Sequence, residues 1–455
     1  MLIGWASADV TPERPVILRG QHHVRVSENV NDSVTVTALA LEEQDETAVI
    51  VSCDLVGITA ATIESLRRRI NEKMPEFDVS RLFASVTHTH TGPTLDEGIY
   101  PEQPAPVMTP AECNEFFIER VSEAVIQAWR TRKPGGISWA FGQAVVGHNR
   151  RAVYFGGNAQ MYGKTNTEDF DSIEGYEDHS VDLLYIWDEQ QKLTGVLVNL
   201  ACPSQVTENA YFVSADFWHE ARQEIRKRLS ADLFILPQCA AAGDQSPHFL
   251  VYGDQEKYMR ERRGVSEREE IGIKIADAVQ RALPAAQGDI RTELDFRHVA
   301  QEVQLPVRMV TDEELASARA EIQKLEKQKA PDPKAESKRL RFISRNTKVV
   351  ERYEHQKTNP TLPIELHVLR IGDVAMATNP FELFLDFGLR IKARSAALQT
   401  FVVQLAAGCL GYVPTAKAVA AKSYGAEVAS NRVGPEGGQV LVEKTLECIA
   451  GLWRE

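Results

Sequence analysis

Two imidazoles two positions apart stand in the stretch Ser85-Val86-Thr87-His88-Thr89-His90-Thr91-Gly92-Pro93. Neutral imidazoles bind metal ions and move protons near neutral pH, so His88 and His90 are the first candidates for chemistry. The apolar run Leu82-Phe83-Ala84 leads into them and reads as a strand. Side chains on a strand alternate faces with period two, which would put both rings on one face at the strand's end. A His-x-His at a polar loop tip is also an ordinary solvated turn, and this stretch alone fits both.

Other chemistry-bearing residues follow apolar runs: Asp54, Arg150, Cys202, Asp244 and Glu382. In α/β folds, polar residues just past strand ends gather along one edge of a sheet, where they make metal or acid–base sites. Nucleotide chemistry has no such footing. The sequence holds neither Gly-x-x-x-x-Gly-Lys-[Ser/Thr] nor Gly-x-Gly-x-x-Gly. The nucleophile elbow Gly-x-Ser-x-Gly and the zinc motif His-Glu-x-x-His are absent too. Ser246, in Gly243-Asp244-Gln245-Ser246-Pro247, reads as part of a structural turn whose Asp and Ser bond their own backbone.

Positioning such residues requires strands that end together. Residues 34–42 and 48–53 read as β-branched strands joined by an acidic turn, with Asp54 at the end of the second. A helix is expected over 60–74. Thr109-Pro110-Ala111-Glu112 has capping-box spacing with proline at the first helical position. Phe116, Phe117, Val121, Ala124, Val125 and Trp129 then trace an amphipathic face up to Pro134-Gly135-Gly136. The proline-rich segment 94–109 is a candidate pocket wall or lid. Further strands are expected over 137–146, 181–187, 194–201, 232–237, 364–370, 373–378 and 400–407. Helices are expected from Ser214, from Ser266 to about Leu283, from about Phe381 and from about Gly438. Between Thr311 and Gln356 the composition shifts to Lys, Glu and Arg, with a break at Pro331-Asp332-Pro333. This reads as two solvated helices forming an insertion over 309–358, structural or a surface for homo-oligomers rather than part of a site.

The 455 residues are 43% hydrophobic and 25% charged, as in a soluble chain with a sizeable core. A net charge of -13 argues against a nucleic-acid surface, which needs clustered excess Lys and Arg, and suits a small-molecule substrate. No window approaches the roughly eighteen apolar residues of a membrane span. Met1-Leu2-Ile3-Gly4-Trp5-Ala6 runs straight into folded sequence without a signal-peptide pattern, so a cytoplasmic location is expected. The cysteines are scattered without Cys-x-x-Cys spacing and read as reduced, buried thiols.

Taken in order, the motifs resemble the N-terminal catalytic domain of the neutral/alkaline non-lysosomal ceramidase family. Gly4-Trp5-Ala6-Ser7-Ala8-Asp9-Val10-Thr11-Pro12 is similar to its Gly-x-x-x-x-Asp-Ile-Thr-Pro start. Ser52-Cys53-Asp54-Leu55 is similar to its Ser-x-Asp-Leu, and Thr87–Pro93 to its Ser-His-Thr-His-Ser-Gly-Pro. Asn149-Arg150, Ser214-Ala215-Asp216-Phe217 and Gly243-Asp244-Gln245-Ser246-Pro247 match further motifs in sequence. Asn379-Pro380-Phe381-Glu382-Leu383 and Gly411-Tyr412-Val413-Pro414-Thr415, with Tyr424 beyond, complete the series.

The resemblance implies an α/β, mixed-sheet catalytic domain over 1–455 with the helical insertion inside it, and no C-terminal immunoglobulin-like domain. It implies zinc held by His88, Glu382, Tyr412 and the residue at Cys202, where the family has histidine. It further implies that His90, Arg150 and Tyr424 stabilise an oxyanion or handle protons, and that the loop of His22 and His23 lines the pocket. Three readings of Cys202 stand open. A thiolate could ligate zinc, leaving the bound water less acidified than two imidazoles would. Gln205 or Glu208 could take its place. Or Cys202 could be a buried structural thiol beside a site that works without metal. The expected function is a metal-dependent hydrolase, zinc first, of a small polar amide or ester. The rivals are a carbohydrate-active hydrolase or lyase using Asp54, Asp244 or Glu382, and a catalytically silent binding protein.

Overall fold

The computed structural model describes residues 1–454. Eight strands form the larger sheet: β1 (Leu2–Asp9), β2 (Thr35–Glu43), β3 (Glu46–Cys53), β4 (Leu82–Val86), β5 (Lys133–Gln143), β6 (Ser180–Asp188), β7 (Leu193–Leu200) and β8 (Phe234–Cys239). Their spatial order is β8-β7-β6-β5-β1-β2-β3-β4. The edge pairs β3–β4 and β7–β8 are parallel, and the ladders between them antiparallel. A second sheet runs β9 (Phe296–Pro306), β10 (Thr361–Ile371), β11 (Val374–Thr378) and β12 (Gln399–Val403), with β11–β12 parallel. The α/β, mixed-sheet class expected from the sequence is the one found.

The two sheets stack face to face, and helices cover their outer faces. Period-two alternation explains the layering. On β2, Leu39 and Leu41 join Ile50, Phe83, Leu197 and Leu236 against Leu369, Met376 and Phe401 of the second sheet. Val36, Ala38 and Ala40 point the other way, into a core shared with α1 (Ala60–Lys73) and α2 (Pro110–Arg130). The β6–β8 half is covered by α3 (Phe217–Arg228), α4 (Gly253–Arg263) and α5 (Glu267–Gln287), with α3 and α5 in its core. α8 (Leu385–Arg394), α9 (Ala416–Ala421) and α10 (Pro435–Leu452) close the second sheet.

Caps set the helix starts. Thr109, Ser266 and Thr311 each form a complete capping box, with Glu112, Glu269 and Glu314. Two expected starts shift. α3 begins at Phe217 rather than Ser214, because Asp216 is its cap and has left-handed φ. α8 begins at Leu385 rather than Phe381, because Glu382-Leu383 first pairs with Tyr412-Val413 in a short parallel ladder. β1, β9 and α4 carry no turn or capping signal strong enough to have been expected.

The insertion consists of α6 (Asp312–Lys327) and α7 (Pro333–His355). It is not a wholly solvated arm. The middle of α7 lies on the N-terminal loop: Val24 N donates to Ser337 Oγ at 3.0 Å, and the Phe342 ring is 5.2 Å from that of His22. No helix of the described residues is long and apolar enough to cross a membrane.

Candidate active site

The loops that follow β4, β7, β8, β11 and β12 meet at one edge of the stacked sheets. Backbone bonds tie them together: His90 N to Ser204 O, Gly243 N to Leu383 O, Glu382 N to Gly411 O, and Ala407 N to Ala84 O. This edge gathers His88, His90, Arg150, Glu382, Tyr412 and Tyr424.

The two histidines meet, but not by strand alternation. β4 ends at Val86, and His88 turns out of line with φ 62°. That left-handed conformation costs roughly 1 kcal/mol for a residue with a Cβ. A 2.7 Å bond from Nδ1 to Val56 O helps to hold it. Since a carbonyl only accepts, Nδ1 carries the proton, and the lone pair of the neutral ring is on Nε2. That atom is 3.6 Å from Glu382 Oε2 and 3.3 Å from His90 Nε2. Burial lowers the pKa of His88, against the pull of Glu382.

His90 is oriented by Gln205. Gln205 Oε1 accepts from Arg150 Nη1 at 3.2 Å, which turns the amide nitrogen to His90 Nε2 at 2.7 Å. His90 Nε2 is thus an acceptor already engaged, and its contact with His88 is between two acceptors. The free lone pair of the pair belongs to His88. Burial, then the charges of His88, Arg25 and Arg150, hold His90 well below the usual imidazole range. Gly20, at φ 122°, leaves room for the ring: a Cβ there would lie 2.5 Å from His90 Cγ.

Arg150 is buried and spends its donors on several groups. Nη1 also reaches the Tyr162 hydroxyl at 3.2 Å, while Nη2 donates to Gly243 O at 2.9 Å and to the Tyr412 hydroxyl at 3.4 Å. The Tyr412 and Tyr424 rings pack edge to face with centroids 5.6 Å apart. Burial raises both phenol pKa values, and Glu382 beside Tyr412 raises that one further, so both remain proton donors at neutral pH.

Cys202 is not part of this group. Its Sγ contacts the carbonyls of Val146 and Pro203, inside the core of Phe217, Trp218 and Ile271. Burial drives its pKa well up. Of the three readings of Cys202, these contacts favour the buried structural thiol. The same loop instead brings Gln205 to the histidines, with Glu208 Oε2 3.6 Å from His90 Nδ1.

Asp54 is likewise taken up by the scaffold. It receives two bonds from Arg222, at 2.8 and 3.0 Å, and one from Thr87 Oγ1 at 3.2 Å, and so anchors the histidine loop. That removes it from the acid–base groups that sugar chemistry would call on. Asp244, pushed up to about 6 by burial, accepts from Leu385 N and Asn149 Nδ2. Ser246 caps its own turn through His248 N, as a structural serine does. Asp216 fixes the Gln205 loop by accepting from Thr207 N and Thr207 Oγ1, at 2.7 and 2.6 Å.

For zinc, the donor set fits in part. Two ligands on an ion at ~2.1 Å in tetrahedral geometry stand ~3.4 Å apart, close to the 3.6 Å between His88 Nε2 and Glu382 Oε2. The Tyr412 phenol adjoins Glu382. Among the described residues, no group of three or more His, Cys, Asp and Glu is arranged to hold a metal ion. A third protein donor would be that phenol, deprotonated by the ion, or His90 Nε2, 3.3 Å from His88 Nε2.

Some site residues were absent from the sequence reading. Tyr162 gave no signal. Lys338, Arg341, Phe342 and Arg345 did, since their spacing puts them on one helix face turned to the site.

No protein-family model matches the sequence, and no curated protein does. Solved structures do match. A ceramidase complexed with C2 superposes with TM-score 0.69 at 16% identity, covering 99% of this chain and 75% of that one. The neutral ceramidase of Pseudomonas aeruginosa gives TM-score 0.70 at 17% identity, covering 100% and 75%. Over nearly its whole length, the chain has the fold of these ceramidases.

Proposed function

We propose that the chain is a hydrolase of an amide or ester bond in a small, polar substrate. The observation that carries the reading is the convergence of an unprotonated His88 Nε2, the Glu382 carboxylate, the Arg150 guanidinium and two protonated phenols at one sheet edge. The ceramidase fold supports the amide as the bond class. With no zinc bound, Glu382, beside His88 Nε2, accepts the proton of an attacking water; with zinc bound, both would be ligands instead. Arg150 and Tyr424 stabilise the oxyanion that forms, in a water-poor pocket where such donors act strongly. Gln205 keeps His90 in one tautomer beside them. Zinc belongs to the proposal through His88, Glu382 and Tyr412, with Cys202 outside it. Bound there, it would polarise the carbonyl and acidify water.

The test is amine release from short N-acyl amides and from ceramide, with and without added zinc. Hydrolysis of the short amides is expected, reduced about a hundredfold or more in Glu382→Gln and in His88→Ala. A wild-type chain that binds these amides without cleaving them would overturn the reading in favour of a binding protein.

A further inference from the structure

Above the reacting groups lies a set of cations that the hydrolysis does not use. α7 turns Lys334, Lys338, Arg341, Phe342 and Arg345 toward the His22 loop and Tyr424, a helical spacing that shares one face. The His22 ring stands between Phe342 and Tyr424, 5.2 Å from each, and the Arg345 guanidinium carbon is 5.3 Å from the centre of the Tyr424 ring. Neighbouring groups report the field. His22 is pushed down to about 4 by burial and by Arg345, Arg341 and Lys338. His23 is pushed down to about 4 by burial and by Lys334 and Arg25. In a chain of net charge -13, this is a local concentration of positive charge beside Tyr424.

Three cations of this region, Arg19, Arg25 and Arg345, are answered from within the protein. Arg19 pairs with Asp96. Arg345 bonds Glu427 at 3.1 Å and Ser430 at 2.9 Å. Arg25 donates to the carbonyls of Ala210, Arg19 and His90. Arg341 differs. Among the described residues no acid or acceptor meets its guanidinium, and its Nε is buried without a partner. Tyr100, Arg345, Tyr424 and Arg19 are near it, and no carboxylate pairs with it among the described residues. A partly buried guanidinium beside other cations and without a protein acceptor is favourably placed to receive an anion. Its planar fork of donors matches the paired oxygens of a carboxylate, sulfonate or phosphate.

We propose that Arg341 grips an anionic group of the substrate, on the part of the molecule that extends from Tyr424 toward α7. The substrate class is then an anionic amide, such as an N-acylated amino acid or amino sulfonate. The inference rests on the hydrolase reading for the bond that is cleaved, while the grip itself is measurable without turnover.

Calorimetric titration of the full chain with N-acetylglycine, N-acetyltaurine, the neutral N-acetylglycinamide and inorganic phosphate tests it. Both anionic amides should bind at least about tenfold more tightly than the neutral one. Arg341→Gln should erase that difference, and Arg341→Lys should restore part of it, with melting curves showing both variants folded. Equal binding of charged and neutral amides, or a preference that survives Arg341→Gln, would overturn the proposal. So would binding of phosphate with no preference among the amides, because the site would then serve a free anion. A clear preference in a chain that cleaves none of the three amides upholds the grip and sinks only the assignment of the bond.

Discussion

Gln205 Nε2 lies 2.7 Å from His90 Nε2 and donates to it, while the same amide accepts from Arg150. One uncharged side chain therefore satisfies two buried groups at once. Gln205→Leu should leave His90 Nε2 without a donor, take one acceptor from Arg150, and cost about 1–3 kcal/mol, read from chemical unfolding. It should also lower amide turnover, because His90 and Arg150 lose their mutual alignment. Unchanged stability in this variant would mean that water replaces the amide.

The thiol of Cys202 contacts core carbonyls and not the histidines. Cys202→Ala should therefore leave zinc content at the wild-type level and cost only about 1 kcal/mol, as small core deletions do. His88→Ala should lower zinc content. Elemental analysis of the purified variants decides the matter, and loss of zinc in Cys202→Ala would restore the thiol to the site.

Gly20 can be tested by adding one carbon. Gly20→Ala forces a Cβ onto the His90 ring and asks a residue with a side chain to hold φ 122°. Turnover should fall while the core stays folded. Circular dichroism alongside the amide assay separates the two effects, and wild-type turnover would show that the ring is free to move.

Away from the site, His298 Nε2 and His367 Nδ1 are 2.9 Å apart between the sheets. Burial, and then the charge of His367, hold His298 down to about 3, against about 6.5 when unfolded. The folded value is the depressed one. The stability that this pair contributes is thus complete above about pH 6.5 and is lost as pH falls toward 3. Unfolding free energy should drop by a few kcal/mol across that window, and His298→Gln should flatten the drop. An equal acid limb in wild type and variant would place the effect elsewhere.

The sequence disclosed what depends on local pattern. Alternating β-branched runs marked β2, β3, β6 and β7, and capping boxes at Thr109, Ser266 and Thr311 marked the starts of their helices to within a residue. The ordered motifs pointed to His88, His90, Arg150, Glu382, Tyr412 and Tyr424, which do gather at one edge. Side-chain direction was not legible. Whether position 202 faces the core or the site depends on packing against Val146 and Phe217, distant in sequence. The face on which α7 docks was hidden for a related reason: Lys and Arg at helical spacing look alike whether they meet water or a pocket.

The edge that gathers these groups also has a kinetic meaning. His22 and Tyr424 come from opposite ends of the chain, and Arg150, Gln205 and Glu382 from between them. Each requires its own long loop to close, and such closures are the slow part of forming non-local structure. Helical signal should return early when the unfolded chain is allowed to refold, with turnover the last property to recover. A fragment that ends before Tyr424 or begins after His22 lacks part of the pocket.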